Sequence, residues 1–143
     1  MKTTLRRLSA LFLVFSIFCA VSAPVVAATS DDMASPRASY YISSTYASIS
    51  NNSGTVTVSF DIIATGRMTS VGATVIRIKD ANDTTVKTFY SSSTSGMMGY
   101  NCVSHVGSVT YNGISGKKYY AVVSFKAENS SGSDTDAFVT DYT

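Results

Sequence analysis

The run TVTVSFDIIA (residues 55–64) decides the fold. Val56, Val58, Phe60 and Ile62 fall at every second position, and Thr55, Thr57, Ser59 and Asp61 lie between them. A period of two puts successive side chains on opposite faces of a strand, so this segment reads as a β-strand with one face in a core and one in water. Upstream, Asn51-Asn52-Ser53-Gly54 is turn chemistry, because Asn and Gly accept left-handed backbone angles. Residues 40–49 before that turn read as an edge strand. Downstream, Thr65-Gly66-Arg67 reads as a break, and residues 72–79 as a third strand with Ile76 and Ile78 inward and Arg77 and Lys79 wet.

The rest of the chain follows the same rhythm. Asp80-Ala81-Asn82-Asp83 turns into a fourth strand over 84–90. Strands five and six cover 103–111 and 119–127, and NSSGS at 129–133 turns into a seventh over 135–142. No segment carries the apolar period of a helix. Seven short strands separated by turns predict an all-β fold, a single antiparallel β-sandwich of the immunoglobulin-like or fibronectin type III-like kind, over residues 39–143. The high content of Ser, Thr, Val and Tyr, with no Trp, agrees with strands rather than helices.

The N-terminus has a different logic. Lys2, Arg6 and Arg7 precede an apolar run over 8–21, and small residues lead to Ala27 and Ala28. That order is a secretory signal peptide, expected over 1–27 and cleaved after Ala27. The apolar run is shorter than the about 20 residues of a membrane span, so contact with a membrane is expected only through the signal peptide before cleavage. Cys19 has the bulky Phe18 before it and reads as a leader residue, not a lipidation site. Residues 28–38, ATSDDMASPRA, read as a mobile arm. The chain holds 11 Lys and Arg against 9 Asp and Glu, but three of the basic residues and none of the acidic ones belong to the leader. The exported part is therefore slightly acidic, and no basic patch points to nucleic acid.

The segment VTYNGISGKKYYAVVSFKAENSSG (residues 109–132) resembles the later strands of a fibronectin type III-like module. Ile114, Gly116 and Tyr119 match the start of a strand in that family, Val123, Phe125 and Ala127 its inward face, and Asn129 and Gly132 its closing turn. The resemblance implies that Tyr119 is a tyrosine corner, its ring buried and its hydroxyl bonded to nearby backbone. The start lacks the family's usual Pro and is one residue shorter, the strand is two residues longer, and no early-strand Trp is present. The whole chain also resembles small secreted proteins of Gram-positive bacteria of unknown function, which implies no activity.

Candidate chemistry gathers in SSSTSGMMGYNCVSH (residues 91–105), which holds Met97, Met98, Cys102 and the single His of the chain, His105. Cys102-x-x-His105 is spaced like the metal loop of blue-copper proteins. That site takes two imidazoles, and zinc takes three or four ligands, so neither donor set is complete here and no metal or cofactor is expected. The segment reads as a flexible loop leading into a strand. Strand parity places His105 inward with Val103, Val109 and Tyr111, and Cys102 on the opposite face, which disfavours a Cys–His dyad. Cys102, as the one thiol left after export, is a candidate for a covalent dimer. Asp80, Asn82 and Asp83 crowd one turn, and Asp134 with Asp136 starts the last strand. Calcium is a candidate at the first group, although Asp-x-Asn-Asp is also ordinary turn chemistry.

No set of groups meets the requirements of a catalytic site, and no enzyme is expected. The function expected is an extracellular, non-catalytic binding module whose partner is a protein or glycan. Two alternatives stand beside it: a matrix or surface subunit assembling through sheet edges, and a small secreted hydrolase depending on His105.

Overall fold

The computed structural model describes residues 39–143; the expected leader with Cys19 and the whole of the expected arm, 28–38, lie outside the described residues. The described chain has six antiparallel strands and no helix: β1 Ile42–Asn52, β2 Thr55–Asp80, β3 Thr85–Tyr90, β4 Met98–Asn112, β5 Tyr119–Asn129 and β6 Gly132–Val139. All are hydrogen-bonded into one sheet. The fold is all-β, as the alternation predicts, but the strand count is six rather than seven.

The difference lies at Thr65-Gly66-Arg67. The backbone stays extended there, so the expected second and third strands are one strand of 26 residues. What changes is the neighbour. β1 pairs with the first limb of β2, from Thr55 to Ala64, and β5 with the second, from Ser70 to Asp80. β4 runs along both limbs on the opposite side, but its register jumps between Ile63 and Met68. β3 pairs with the far end of β2. The turn-like tripeptide thus marks a change of partner and a bulge, which bend a strand without ending it.

Each limb buries one face. Val56, Val58, Phe60 and Ile62 are buried, as are Ile76 and Ile78, and Val123, Phe125 and Ala127 of β5. Phe60 meets Phe125 edge to face at 6.2 Å between ring centroids, and Tyr111 meets Tyr119 at 6.3 Å. The first limb therefore packs on the strands of the second, an arrangement compatible with a β-sandwich.

Two turns follow the sequence closely. Ser53 (φ 52°) and Gly54 (φ 93°) join β1 to β2, and two successive positive φ values are the two-residue hairpin geometry that matches strand twist. Asn51 holds this hairpin: its Oδ1 accepts from Gly54 N–H at 3.1 Å, and its Nδ2 donates to the carbonyls of Ile114 and Lys117. At the other turn, Asn129 pairs with Gly132, and Asn129 Oδ1 accepts from Ser131 N–H at 2.8 Å.

Tyr119 is 1% exposed, and its hydroxyl accepts from Ile114 N–H at 3.0 Å. Tyr119→Phe keeps the ring and removes that acceptor. The expected cost is about 1 kcal/mol, the lower part of the range because Ile114 is itself exposed and water can reach its amide. Urea unfolding should show a lower midpoint with an unchanged slope.

The β1 and β6 edges are joined by carboxylates. Asp134 Oδ2 accepts from Tyr41 N–H at 2.7 Å and from Ser39 Oγ at 2.8 Å, and Asp136 Oδ2 accepts from Thr45 Oγ1 at 2.6 Å.

Candidate functional site

The Ser91-to-His105 stretch is ordered differently from its expectation. The strand starts at Met98, earlier than the expected 103, and Met97 is fully buried in the core. Alternation then fails twice. Tyr100 and Asn101 are both exposed, and so are Val103 and Ser104. The first failure sits at Asn101, whose φ is 54°; the second faces the register jump in β2. Only the second lies between Cys102 and His105; that one lost step brings Cys102 to the same face as His105 and leaves Val103 outside, against the expected parity.

Cys102 and His105 converge on Gly99. A Cβ on that glycine would lie 2.8 Å from both Cys102 Sγ and His105 Nδ1. His105 Nε2 stands 2.8 Å from the carbonyl oxygen of Gly96. A carbonyl only accepts, so this contact assigns a proton to Nε2. The imidazole thereby pins the Gly96 end of the loop onto β4. Gly107 provides the room: a Cβ there would lie 2.5 Å from the same Gly96 oxygen and 2.4 Å from Phe60 Cζ. Cys102 is half-buried and packs against the core, so its sulfur faces inward rather than toward an approaching second chain. Among the described residues no three His, Cys, Asp or Glu side chains converge.

The Asp80 turn is an ion-pair cluster. Asp80 Oδ1 accepts from the N–H groups of Asn82 and Thr84, and its Oδ2 accepts from Lys117 Nζ at 3.0 Å. Asp83 accepts from the Tyr120 hydroxyl and from Lys79 Nζ at 2.9 Å. A calcium ion at this turn would have to displace both lysines. Lys117 and the two backbone amides hold the Asp80 carboxyl below the usual carboxylate range; Tyr120 and Lys79 do the same for Asp83. At the β1–β6 junction, Tyr41 N–H and the Ser39 hydroxyl lower Asp134.

A depressed carboxyl contributes stability that is present above its unfolded pKa, about 4, and is lost as pH falls through the folded value. The melting temperature should therefore stay level from pH 7 to about 5 and fall below about pH 4. Asp134→Asn should melt lower at pH 7 and show a shallower fall in acid, measured by circular dichroism across that range.

An open groove of about 500 Å³ lies beside the β1–β2 hairpin, lined by residues that include Ile49, Asn51, Lys117 and Tyr142. Of its polar lining, Asn51 is committed to two carbonyls and Lys117 to Asp80, while Ser50, which also belongs to the outer face of β1, and Lys118 have no partner among the described residues.

The outer face of β1, β2 and β4 is the opposite case. Register lines up three rows across the strands: Asn52–Thr55–Asn112, Ser50–Thr57–Thr110 and Ser48–Ser59–Ser108. Adjacent strands are about 4.8 Å apart and same-face neighbours along a strand about 6.7 Å apart, so the rows form a grid. None of the nine side chains is buried, and none is engaged in a hydrogen bond within the described chain. Ser39, Thr45, Ser70, Thr74 and Thr140 have partners, while exposed hydroxyls such as Thr69, Thr85 and Ser92 do not; what sets the nine apart is their register. Two further rows, Tyr46–Asp61–Val106 and Ser44–Ile63–Ser104, extend the face. Tyr46 is 59% exposed. Asp61 is the one charged residue of the five rows, and its Oδ1 is buried without a hydrogen-bond partner.

Alternation in the sequence shows that these residues point outward on each strand. It does not show that the rows coincide, because that depends on register between segments up to 60 residues apart in the chain. No family model matches the chain, and no curated protein or solved structure matches it.

Proposed function

We propose that this chain is a secreted, non-catalytic binding module of the immunoglobulin-like or fibronectin type III-like kind, and that the outer face of β1, β2 and β4 holds an extended, neutral glycan. The observation that carries the reading is the grid of nine short polar side chains, in register across three strands, with no side-chain hydrogen bond among the described residues. A regular grid suits a regular polymer. One hydroxyl–hydroxyl bond contributes little against water, but many made at once along a repeating chain add up. The face has no Lys or Arg and one carboxylate, so it has no attraction for an anionic polymer. Tyr46 supplies an exposed ring on which a sugar face can stack. Short side chains also lose little rotamer freedom on binding. The sandwich reading is supported by the Phe60–Phe125 packing, and the fibronectin-like reading by Tyr119 and its bond to Ile114. Secretion rests on the leader.

Depletion from solution by insoluble polysaccharides tests the reading. Neutral polymers (cellulose, chitin, mannan) should retain the protein, and a polyanion such as pectate should not. Thr57→Glu with Thr110→Glu places two charges opposite each other in the middle row and should weaken retention about tenfold or more; the like charges also lower the melting temperature, so retention is compared well below it. Retention of the double variant equal to the original chain, or no retention on any neutral polymer, would overturn the proposal.

A further inference from the structure

We infer that β4 is a self-association edge, and that two copies of the chain pair β4 with β4, antiparallel, about a two-fold axis. Among the described residues β4 is hydrogen-bonded to β2 alone, so its other edge has no partner there. Unpaired edges invite pairing, and folded proteins guard them with charges, Pro, shortness, bulges or covering elements. Two edges, β1 and β4, hold no Lys, Arg, Asp, Glu or Pro, and they differ in how they are held. β1 and β6 face each other and are joined through Asp134 and Asp136. β3 is six residues long and carries Lys87. β4 is 15 residues long and holds no Lys, Arg, Asp, Glu or Pro. Its irregularities at Asn101 and beside Val103 disturb the first part of the strand, while residues 104–112 pair with β2 without a break.

The occupant that fits this edge is a second copy. Residues 104–112 present Ser, Val, Gly, Thr, Tyr and Asn, with one His turned inward, so the strand meets its own copy without like-charge repulsion. Val106 is 71% exposed at the outer side of this edge, and pairing would cover part of it. A two-fold contact closes on itself. The product is therefore a dimer rather than a filament. Pairing also sets the two polar grids side by side as one six-stranded face; that consequence, unlike the dimer, rests on the glycan reading above.

Sedimentation equilibrium of the exported chain, kept reduced, from about 1 μM to 1 mM tests the inference. The mass should rise from one to two chains and stop there. Val106→Lys with Ser108→Lys adds two outward charges to each copy at positions outside the core, and should weaken dimerisation about tenfold or more with the melting temperature of the monomer unchanged. Cys102→Ser should dimerise as the original chain does. A single-chain mass at 1 mM, undiminished dimerisation of the double-lysine variant, or loss of the dimer in Cys102→Ser would each overturn it. Mass is read without any polysaccharide, so a failed dimer and a failed glycan site are separate results.

Discussion

Phe60→Ala is expected to destabilise the fold by about 3–5 kcal/mol. Phe60 is 2% exposed and stands at the centre of the packing between the two limbs. Its ring meets Phe125 edge to face and lies 6.0 Å from the His105 ring. Its Cζ also lies so close to the bare Cα of Gly107 that a methyl there would clash. Truncation would leave a cavity bordered by β4, β5 and the loop pinned by His105, three parts that cannot all move in together. Native domains are stable by only about 5–15 kcal/mol, so the loss is a large share of the total. Chemical denaturation should show it as a fall in midpoint. A loss under about 1 kcal/mol would mean that the limbs do not pack on each other through this ring.

Gly72→Ala is the second large effect, about 3 kcal/mol or more. A Cβ at Gly72 would lie 2.2 Å from the carbonyl oxygen of Met97 and 2.8 Å from Met98 Cα. Both are backbone atoms held in place, since Gly72 pairs with Met98 and Ala73 N–H donates to Met97 O at 2.9 Å. The methyl must push the start of β4 away from β2. That breaks the bond to Met97 O and draws the buried Met97 side chain out of the core. Gly66→Ala is the matched control: nothing lies within 4 Å of a Cβ there, and the backbone angle is ordinary. It should change stability by no more than about 1 kcal/mol, in the stabilising direction. Thermal melting of the two variants side by side separates a packing clash from the general cost of replacing glycine.

Much of this fold is legible in the chain because its rules are local. The alternation of residues 55–64 and 119–127 names the inward residues of β2 and β5 correctly, and Asn51 to Gly54 names its hairpin. Tyr119 has the buried ring and backbone partner that the resemblance implies. The failures are equally physical. Thr65-Gly66-Arg67 has the composition of a turn, but whether an extended chain stops or changes neighbours is decided by β1 and β5, which lie far away in sequence. The faces of Cys102 and Val103 were misassigned because parity counting assumes an unbroken strand. The jump opposite Ile63 and Met68 removes the one step between these two residues and His105; the left-handed Asn101 lies before both. Asn tolerates the left-handed conformation at 101, but the break that counts, between Val103 and Ser104, is set by β2 and has no local signal. The polar grid has no local signal beyond Ser and Thr at alternate positions, since its order comes from register.

The central claim is that the outer face of β1, β2 and β4, and not the groove beside Lys117, is the binding surface. Amide chemical-shift mapping on the ¹⁵N-labelled chain tests it most directly, with a soluble hexasaccharide of a polymer that retains the protein. Shifts concentrated on Ser48, Thr57, Ser59, Ser108 and Thr110, with Tyr46 at their margin, are the predicted result. Shifts confined to Gly116, Lys117, Lys118 and Tyr142, or no shifts at millimolar sugar, would contradict it.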